Sequence, residues 1–345
     1  MEINVCSSCG GKVEFSPKER ALKCVNCGNV YPIAYKQTIT KHAININSNK
    51  FDMQRWVENN RSYSCQNCGA QVVFNRYDIA NKCQYCNTSS LIPLQDLPGL
   101  KPEIVIPFKI SKEEAKTEFS TKVKHRHFLP LNFKKNLPKT DVGATYISSF
   151  TFECMVNAKY HGRQAINKTV RGSNGKTRSV TEYRSFSGEI SHLFDNLVVE
   201  ASDKLHQDDI EDVLPYNFNE SYDYEDDFIK GYNVGYYNQS VEDAEQIAKK
   251  DALKLIEKMI RNKYSSIDSL TINPTYSNIK YNYALLPVYF IKFNYKNKPY
   301  VNVMNGQTGK VGGAVPRSAV QITLFTIFLI LVIGLPVLWI ILSMF

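Results

Sequence analysis

No secretory leader opens this 345-residue chain, no Gly-x-x-x-x-Gly-Lys-Ser/Thr string occurs in it, and one cysteine of nine stands outside a Cys-x-x-Cys pair. The first absence sets aside the small secreted class in which many cysteines mean disulfides, and predicts a reducing compartment. The second sets aside a nucleotide-driven motor. The nearest string, Gly306-Gln-Thr-Gly-Lys-Val-Gly-Gly313, places Val311 where magnesium needs a hydroxyl, so it reads as a turn between strands with Gly306 and Gly309 at positive φ.

Other absences weigh against catalysis. Cys154 has no base beside it in sequence and reads as a buried core thiol. His125 and His127 have no further ligands nearby and read as a solvated helix end. The acidic runs Asp208-Asp209-Ile-Glu211-Asp212 and Glu225-Asp226-Asp227 lack the alternating oxygens and glycine of a calcium loop. With no nucleophile and base, open metal site or cofactor loop to assemble, no enzyme is expected.

What is present is a repeat. Cys6, Cys9, Cys24 and Cys27 recur as Cys65, Cys68, Cys83 and Cys86, each displaced by 59 residues. Zinc holds four thiolates in a tetrahedron, and a Cys-x-x-Cys turn aims two sulfurs at one ion. Gly10, Gly28 and Gly69 follow three of the pairs and Asn87 the fourth, residue types that close such turns in the left-handed region. Each gap holds a short hairpin too small for a core of its own, so the metal must supply folding energy. A thioredoxin-like dithiol would need a βαβ setting that is missing here; iron remains open, because four thiolates alone do not choose the metal. Two zinc ions per chain are expected, in closed, structural sites.

The net charge of +9 is unevenly spread. Residues 1–92 carry 11 Lys/Arg against 6 Asp/Glu, residues 141–262 carry 14 against 21, and residues 263–345 carry 7 against 1. The pattern along the chain predicts zinc ribbon 1 at 1–35 and a linker at 36–60, in which Met53, Trp56 and Val57 share a helical face. It then predicts zinc ribbon 2 at 61–95 and a soluble domain at 96–320. That domain reads as α+β, mostly antiparallel sheet with two helices. Ser111-Lys-Glu-Glu opens the first helix as a capping box, with Ala115, Phe119 and Val123 buried. Ser240 caps the second, with Ala244, Ala248, Ala252, Leu255 and Met259 as its stripe. Strands are expected from Thr145 to about Ser187, with a turn at Asn174-Gly175, and at Ala284–Tyr295 and Pro299–Met304 around Lys296-Asn297-Lys298.

Ile322 to Leu342 is 21 residues without a charge, which predicts one C-terminal transmembrane helix within 321–343. Lys310 and Arg317 precede it, so the expectation is a single-pass protein of the cell membrane with a cytoplasmic body. Lys292, Lys296 and Lys298 would then lie near an anionic leaflet.

The two ribbons, Ile106-Pro-Phe-Lys-Ile-Ser-Lys-Glu-Glu-Ala115, Tyr146-Ile-Ser-Ser-Phe150, Leu286-Pro-Val-Tyr289 and Val303-Met-Asn-Gly-Gln-Thr-Gly-Lys310 resemble a bacterial family of double zinc-ribbon, C-terminally anchored membrane proteins. Its members are commonly labelled transcription-factor-IIB-type zinc ribbon proteins, or similar to the primosomal protein N′. They tend to carry Pro and Trp where this chain has Ser148 and Phe150. The resemblance implies a scaffold whose protein partners include phage-shock and band-7 type membrane-stress components. The function expected is therefore a non-catalytic, membrane-tethered adaptor. The alternative is nucleic-acid binding through the basic ribbons, with Tyr63, Phe74 and Tyr77 as stacking groups.

Overall fold

The computed structural model of the chain describes residues 5–38, 41–43, 60–75, 82–86, 88–94, 101–171, 177–202 and 207–336. The expected helical face of Met53, Trp56 and Val57, the turn at Asn174-Gly175, Tyr77 and Asn87 lie outside the described residues.

The first ribbon forms its own antiparallel sheet of β1 (Val13–Ser16), β2 (Ala21–Cys24) and β3 (Val30–Tyr31). After the short β4 (His42–Ala43) come β5 (Asn60–Cys65), β6 (Gln71–Asn75) and β7 (Leu91–Pro93) of the second ribbon. The body adds β8 (Ile104–Val105), β9 (Asp141–Arg171), β10 (Thr177–Glu200), β11 (Tyr222–Asp223), β12 (Asn233–Gly235), β13 (Ile267–Tyr295), β14 (Lys298–Asn305) and β15 (Val311–Gly313). One sheet runs β11-β8-β13-β9-β12-β6-β5-β7, so the second ribbon continues the body's sheet through β12. Val234 of β12 pairs antiparallel with Val73 of β6 and parallel with Tyr146 of β9.

The long strands set the shape. β9, with 31 residues, spans roughly 100 Å at strand rise. It pairs antiparallel with β13 on one edge; on the other it takes β12 at Thr145–Tyr146 and β10 from Ser149 onward. β13 begins at Ile267, well before the expected Ala284; its first half alternates partly buried and exposed positions, and Pro274 within it hides the strand in sequence. Its far end turns through Lys296 and Asn297, both at positive φ, into β14, a two-residue hairpin at the expected place in which Lys298, expected in the turn, already pairs with Tyr295.

Five α-helices lie among the described residues, where two were expected in the body and one at the C-terminus: α1 (Lys112–Lys124), α2 (Leu131–Lys135), α3 (Gln207–Val213), α4 (Val241–Lys263) and α5 (Ala319–Leu329). α2 and α3 are too short to show a helical repeat in sequence. α1 has the capping box, with Ser111 and Glu114 satisfying each other's backbone N–H, and buries Ala115, Phe119 and Val123. In α4 the buried residues are Ala244, Ala248, Ala252, Ile256 and Ile260, while Leu255 is exposed. A strict four-residue spacing moves the buried line about 40° around the helix at each step. The helix follows a twisted sheet; Leu255 falls off that line, while Met259 lies beside it and still packs, partly buried, against the Ile256 and Ile260 cluster. Ala244 and Ala248 sit on Phe150, Phe152, Tyr281 and Tyr283, and Ala252, Ile256 and Ile260 on Cys154, Val156, Ala158 and Tyr160.

The expected fold class needs a second correction, at the C-terminus. No helix among the described residues is long and apolar enough to cross a membrane. α5 has 11 residues, roughly 16 Å of helix, against a hydrocarbon core of roughly 30 Å. A π-turn at Ile330–Gly334 then breaks its regular ladder. The end of the expected span, residues 337–342, lies outside the described residues. The transmembrane helix and the membrane localisation derived from it are thus not supported. Two of the cations expected at a lipid surface are engaged in the fold instead: Lys292 donates to the Gln84 carbonyl and Lys310 to that of Leu214.

One core cluster joins all three parts. It holds Phe15 and Leu22 of the first ribbon, Val73 of the second, and Phe108, Tyr146 and Tyr289 of the body. Phe15 meets Phe228 and Tyr232 at ring distances of 5.8 and 6.4 Å, and its N–H donates to the Lys230 carbonyl over 2.9 Å.

Candidate metal centres

Each Cys-x-x-Cys turn is built by local hydrogen bonds. In the first ribbon the Gly10 N–H donates to the Cys6 carbonyl (2.9 Å) and the Gly28 N–H to that of Cys24 (3.1 Å), with φ of 68° and 79°. In the second the Gly69 N–H donates to Cys65 (2.8 Å), with φ of 68°. Most side chains are strained at these angles, which is why glycine suits these three positions.

The turns bring Cys6, Cys9, Cys24 and Cys27 into one group and Cys65, Cys68, Cys83 and Cys86 into another, the sulfurs of each lying within 4.8 Å of one another. Cys6–Cys27 and Cys9–Cys24 are 3.5 Å apart, Cys65–Cys86 3.5 Å and Cys68–Cys83 3.7 Å. A disulfide would be about 2.05 Å. Four sulfurs at zinc–sulfur distance from one ion stand about 3.8 Å apart along each tetrahedral edge. The donor set and its spacing therefore fit two ions of zinc, and a double zinc-ribbon arrangement.

Electrostatics point the same way. The Tyr31 hydroxyl donates to Cys6 Sγ over 3.2 Å and is the main reason its thiol falls from 9.0 to about 6. Backbone N–H of Cys27 lowers Cys24. Cys9 and Cys27 are held above their ordinary value by sulfur neighbours, against backbone donors that favour their thiolates. Burial raises Cys68 and Cys83 in the second group. Four thiolates this close cannot all ionise alone, and a bound dication reverses that balance.

The surroundings of the second site were not read from sequence. Between Cys83 and Cys86, Gln84 and Tyr85 plug into the body. A Cβ at Gly143 would lie 2.2 Å from Gln84 Oε1, and one at Gly235 2.1 Å from the Tyr85 hydroxyl. These two glycines form the socket. The Tyr85 ring packs on Phe290 at 5.4 Å, and its hydroxyl is 3.4 Å from that of Ser202, which bonds Glu200. Lys292 closes the arrangement from β13, its ammonium 2.5 Å from the Gln84 carbonyl; burial lowers its pKa and the neighbouring sulfurs oppose that. A bulky residue inside a Cys-x-x-Cys turn was the available signal.

Other sequence candidates resolve as architecture. Cys154 is buried and burial raises its thiol. The N–H groups of Gln307 and Thr308 are taken by the Asn305 side chain (2.8 and 2.9 Å), so the loop does not offer them to phosphate. Gly309 has φ of 73°, as expected, but Gly306 does not lie at positive φ; it is needed because a Cβ there would meet the Phe108 ring at 2.5 Å. Phe74 is 3% exposed and its ring meets Tyr63 edge-on at 5.4 Å.

No family model matches this chain, and no solved structure matches it. The chain is 26% identical over 318 residues to the uncharacterized protein YdjG of Bacillus subtilis (strain 168), covering 91% of this chain and 89% of that protein.

Proposed function

We propose that this protein is a non-catalytic zinc-ribbon adaptor, in which the two ribbons and the body together hold a protein partner. The observation that carries the reading is the fixing of both ribbons. One is inserted into the main core by Phe15 and Leu22, and the other extends the main sheet through β12. Ribbons on flexible tethers would pay an ordering cost on binding that a fixed surface avoids.

Between them lies a cleft of about 960 Å³, with Lys12, Lys23, Lys82 and Lys112 on its walls. With Lys292, five lysines against Glu14, Glu113 and Asp141 favour an extended protein segment bearing acidic side chains. Closed four-thiolate sites suit a structural role for the metal. The resemblance seen in the sequence makes phage-shock and band-7 type proteins the first partners to try. Stacking of nucleic acid on the ribbons is disfavoured by the burial of Phe74.

The test is capture by the intact protein and by a Lys23→Glu/Lys112→Glu variant, followed by reconstitution of the captured partner with purified chain. Binding by the intact protein that the variant loses supports the reading. Equal binding by both, or reconstitution failing for both, rejects it.

A further inference from the structure

The far end of the β9–β10 hairpin leaves the body. β13 begins opposite Gln164, and the last tie to it is the Ala165 N–H donating to the Ser266 carbonyl. From there Ile166–Arg171 and Thr177–Glu182 pair only with each other, an arm about 20 Å long. Such a hairpin has no core and is marginal alone in water. Val170 and Val180 stand on it 43% and 38% exposed.

The arm and its base are strongly basic. Residues 163–171 and 177–184 carry Arg163, Lys168, Arg171, Arg178 and Arg184 against the single acid Glu182. Arg163 pairs with Asp268 (2.6 Å) and lies over the Tyr183 ring at 4.5 Å. Lys168 and Arg184 share Glu182. No ion pair reaches Arg171 or Arg178 among the described residues. The register, with Arg178 opposite Val170 and Thr177 opposite Arg171, puts Lys168, Arg178 and Arg184 on one face and Arg163 and Arg171 on the other.

We propose that this arm is a nucleic-acid-binding element that enters a groove of double-stranded DNA. Cations on both faces suit a site walled by phosphates on both sides; a flat anionic surface would be met by one face only. The major groove, about 12 Å wide, admits a two-stranded ribbon of this kind. The arm is separate from the ribbons and their cleft, since β9 carries it tens of ångströms beyond Thr145 and Tyr146, where β12 and the second ribbon join. The adaptor reading neither requires this activity nor supplies it.

The test uses full-length zinc-loaded protein and fluorescence anisotropy on a duplex of about 30 base pairs, from about 50 mM salt upward. The log of the association constant should fall linearly with log salt. Lys168→Gln/Arg171→Gln/Arg178→Gln should flatten that slope by about 2.7, at roughly 0.9 for each phosphate no longer neutralised. Removing three exposed cations elsewhere, in Lys116→Gln/Lys124→Gln/Lys135→Gln, should leave it unchanged; circular dichroism melts check that both variants fold. The proposal is overturned if the duplex is not bound at low salt, or if both triple variants behave alike. Poly-glutamate or anionic vesicles displacing the duplex as well as unlabelled duplex does, at equal charge, also overturns it.

Discussion

A Cβ placed on Gly235 would lie 2.1 Å from the Tyr85 hydroxyl, so the second zinc turn and the strand that receives it are fitted to each other by one missing methyl group. Gly235→Ala should destabilise the protein by about 1–3 kcal/mol through overpacking. In a Tyr85→Phe background, where the clashing atom is gone, the same substitution should cost less. Urea denaturation of the four proteins reads this; equal cost in both backgrounds would remove Tyr85 as the reason for the glycine.

The same junction makes the second metal site part of the body. Cys68→Ser should cost one zinc ion and the order of β5, β6 and β7, with loss of amide protection spreading to β12 through the Val234–Val73 pairing. The first ribbon closes on its own four thiolates and should keep its metal and its protection. Hydrogen exchange that shows β1–β3 opening to the same degree would contradict this independence.

At the first site the Tyr31 hydroxyl favours the Cys6 thiolate. Cys6 has a folded pKa below its unfolded one, so its contribution is complete above the unfolded value near 9 and is lost as pH falls through about 6. Tyr31→Phe removes the donor and raises that pKa. The pH at which zinc leaves the first site should therefore move upward, while the second site's release is unchanged. Zinc release followed with a colorimetric chelator across pH 4 to 9 measures both; a midpoint that stays put or moves down refutes the role given to Tyr31.

Phe15 is the main anchor of the first ribbon, 3% exposed between Phe228 and Tyr232. Phe15→Ala should cost about 3–5 kcal/mol where the cavity does not collapse. The zinc of the first site, held by local turns, should be retained. Thermal unfolding together with metal analysis separates the two effects; loss of the metal with no loss of stability would reverse the argument.

Much of this arrangement was legible in sequence because it is local. The 59-residue displacement of the cysteines, the glycines after three turns, the Ser111–Glu114 box and the Lys296-Asn297 turn each need only neighbouring residues, and all appear where expected. What was hidden depends on distant partners. The Ser148 hydroxyl donates to the Gly235 carbonyl and bonds the Tyr283 hydroxyl, partners far along the chain. The short motifs Ile106–Ala115, Tyr146–Phe150, Leu286–Tyr289 and Val303–Lys310 meet in space. The Phe108 N–H donates to the Tyr146 hydroxyl, the Tyr289 hydroxyl donates to the Ile110 carbonyl, and Gly306 abuts the Phe108 ring. The expected membrane span rested on hydropathy alone, and the helix described there is interrupted after Leu329.

The central claim is that eight cysteines hold two metal ions in closed sites that are built into one protein. Native mass spectrometry of full-length protein, purified without chelator, tests it most directly. The account predicts a mass increment of two zinc ions, falling to one in Cys68→Ser. A single ion in the intact protein, none, or intramolecular disulfides in place of metal would contradict it.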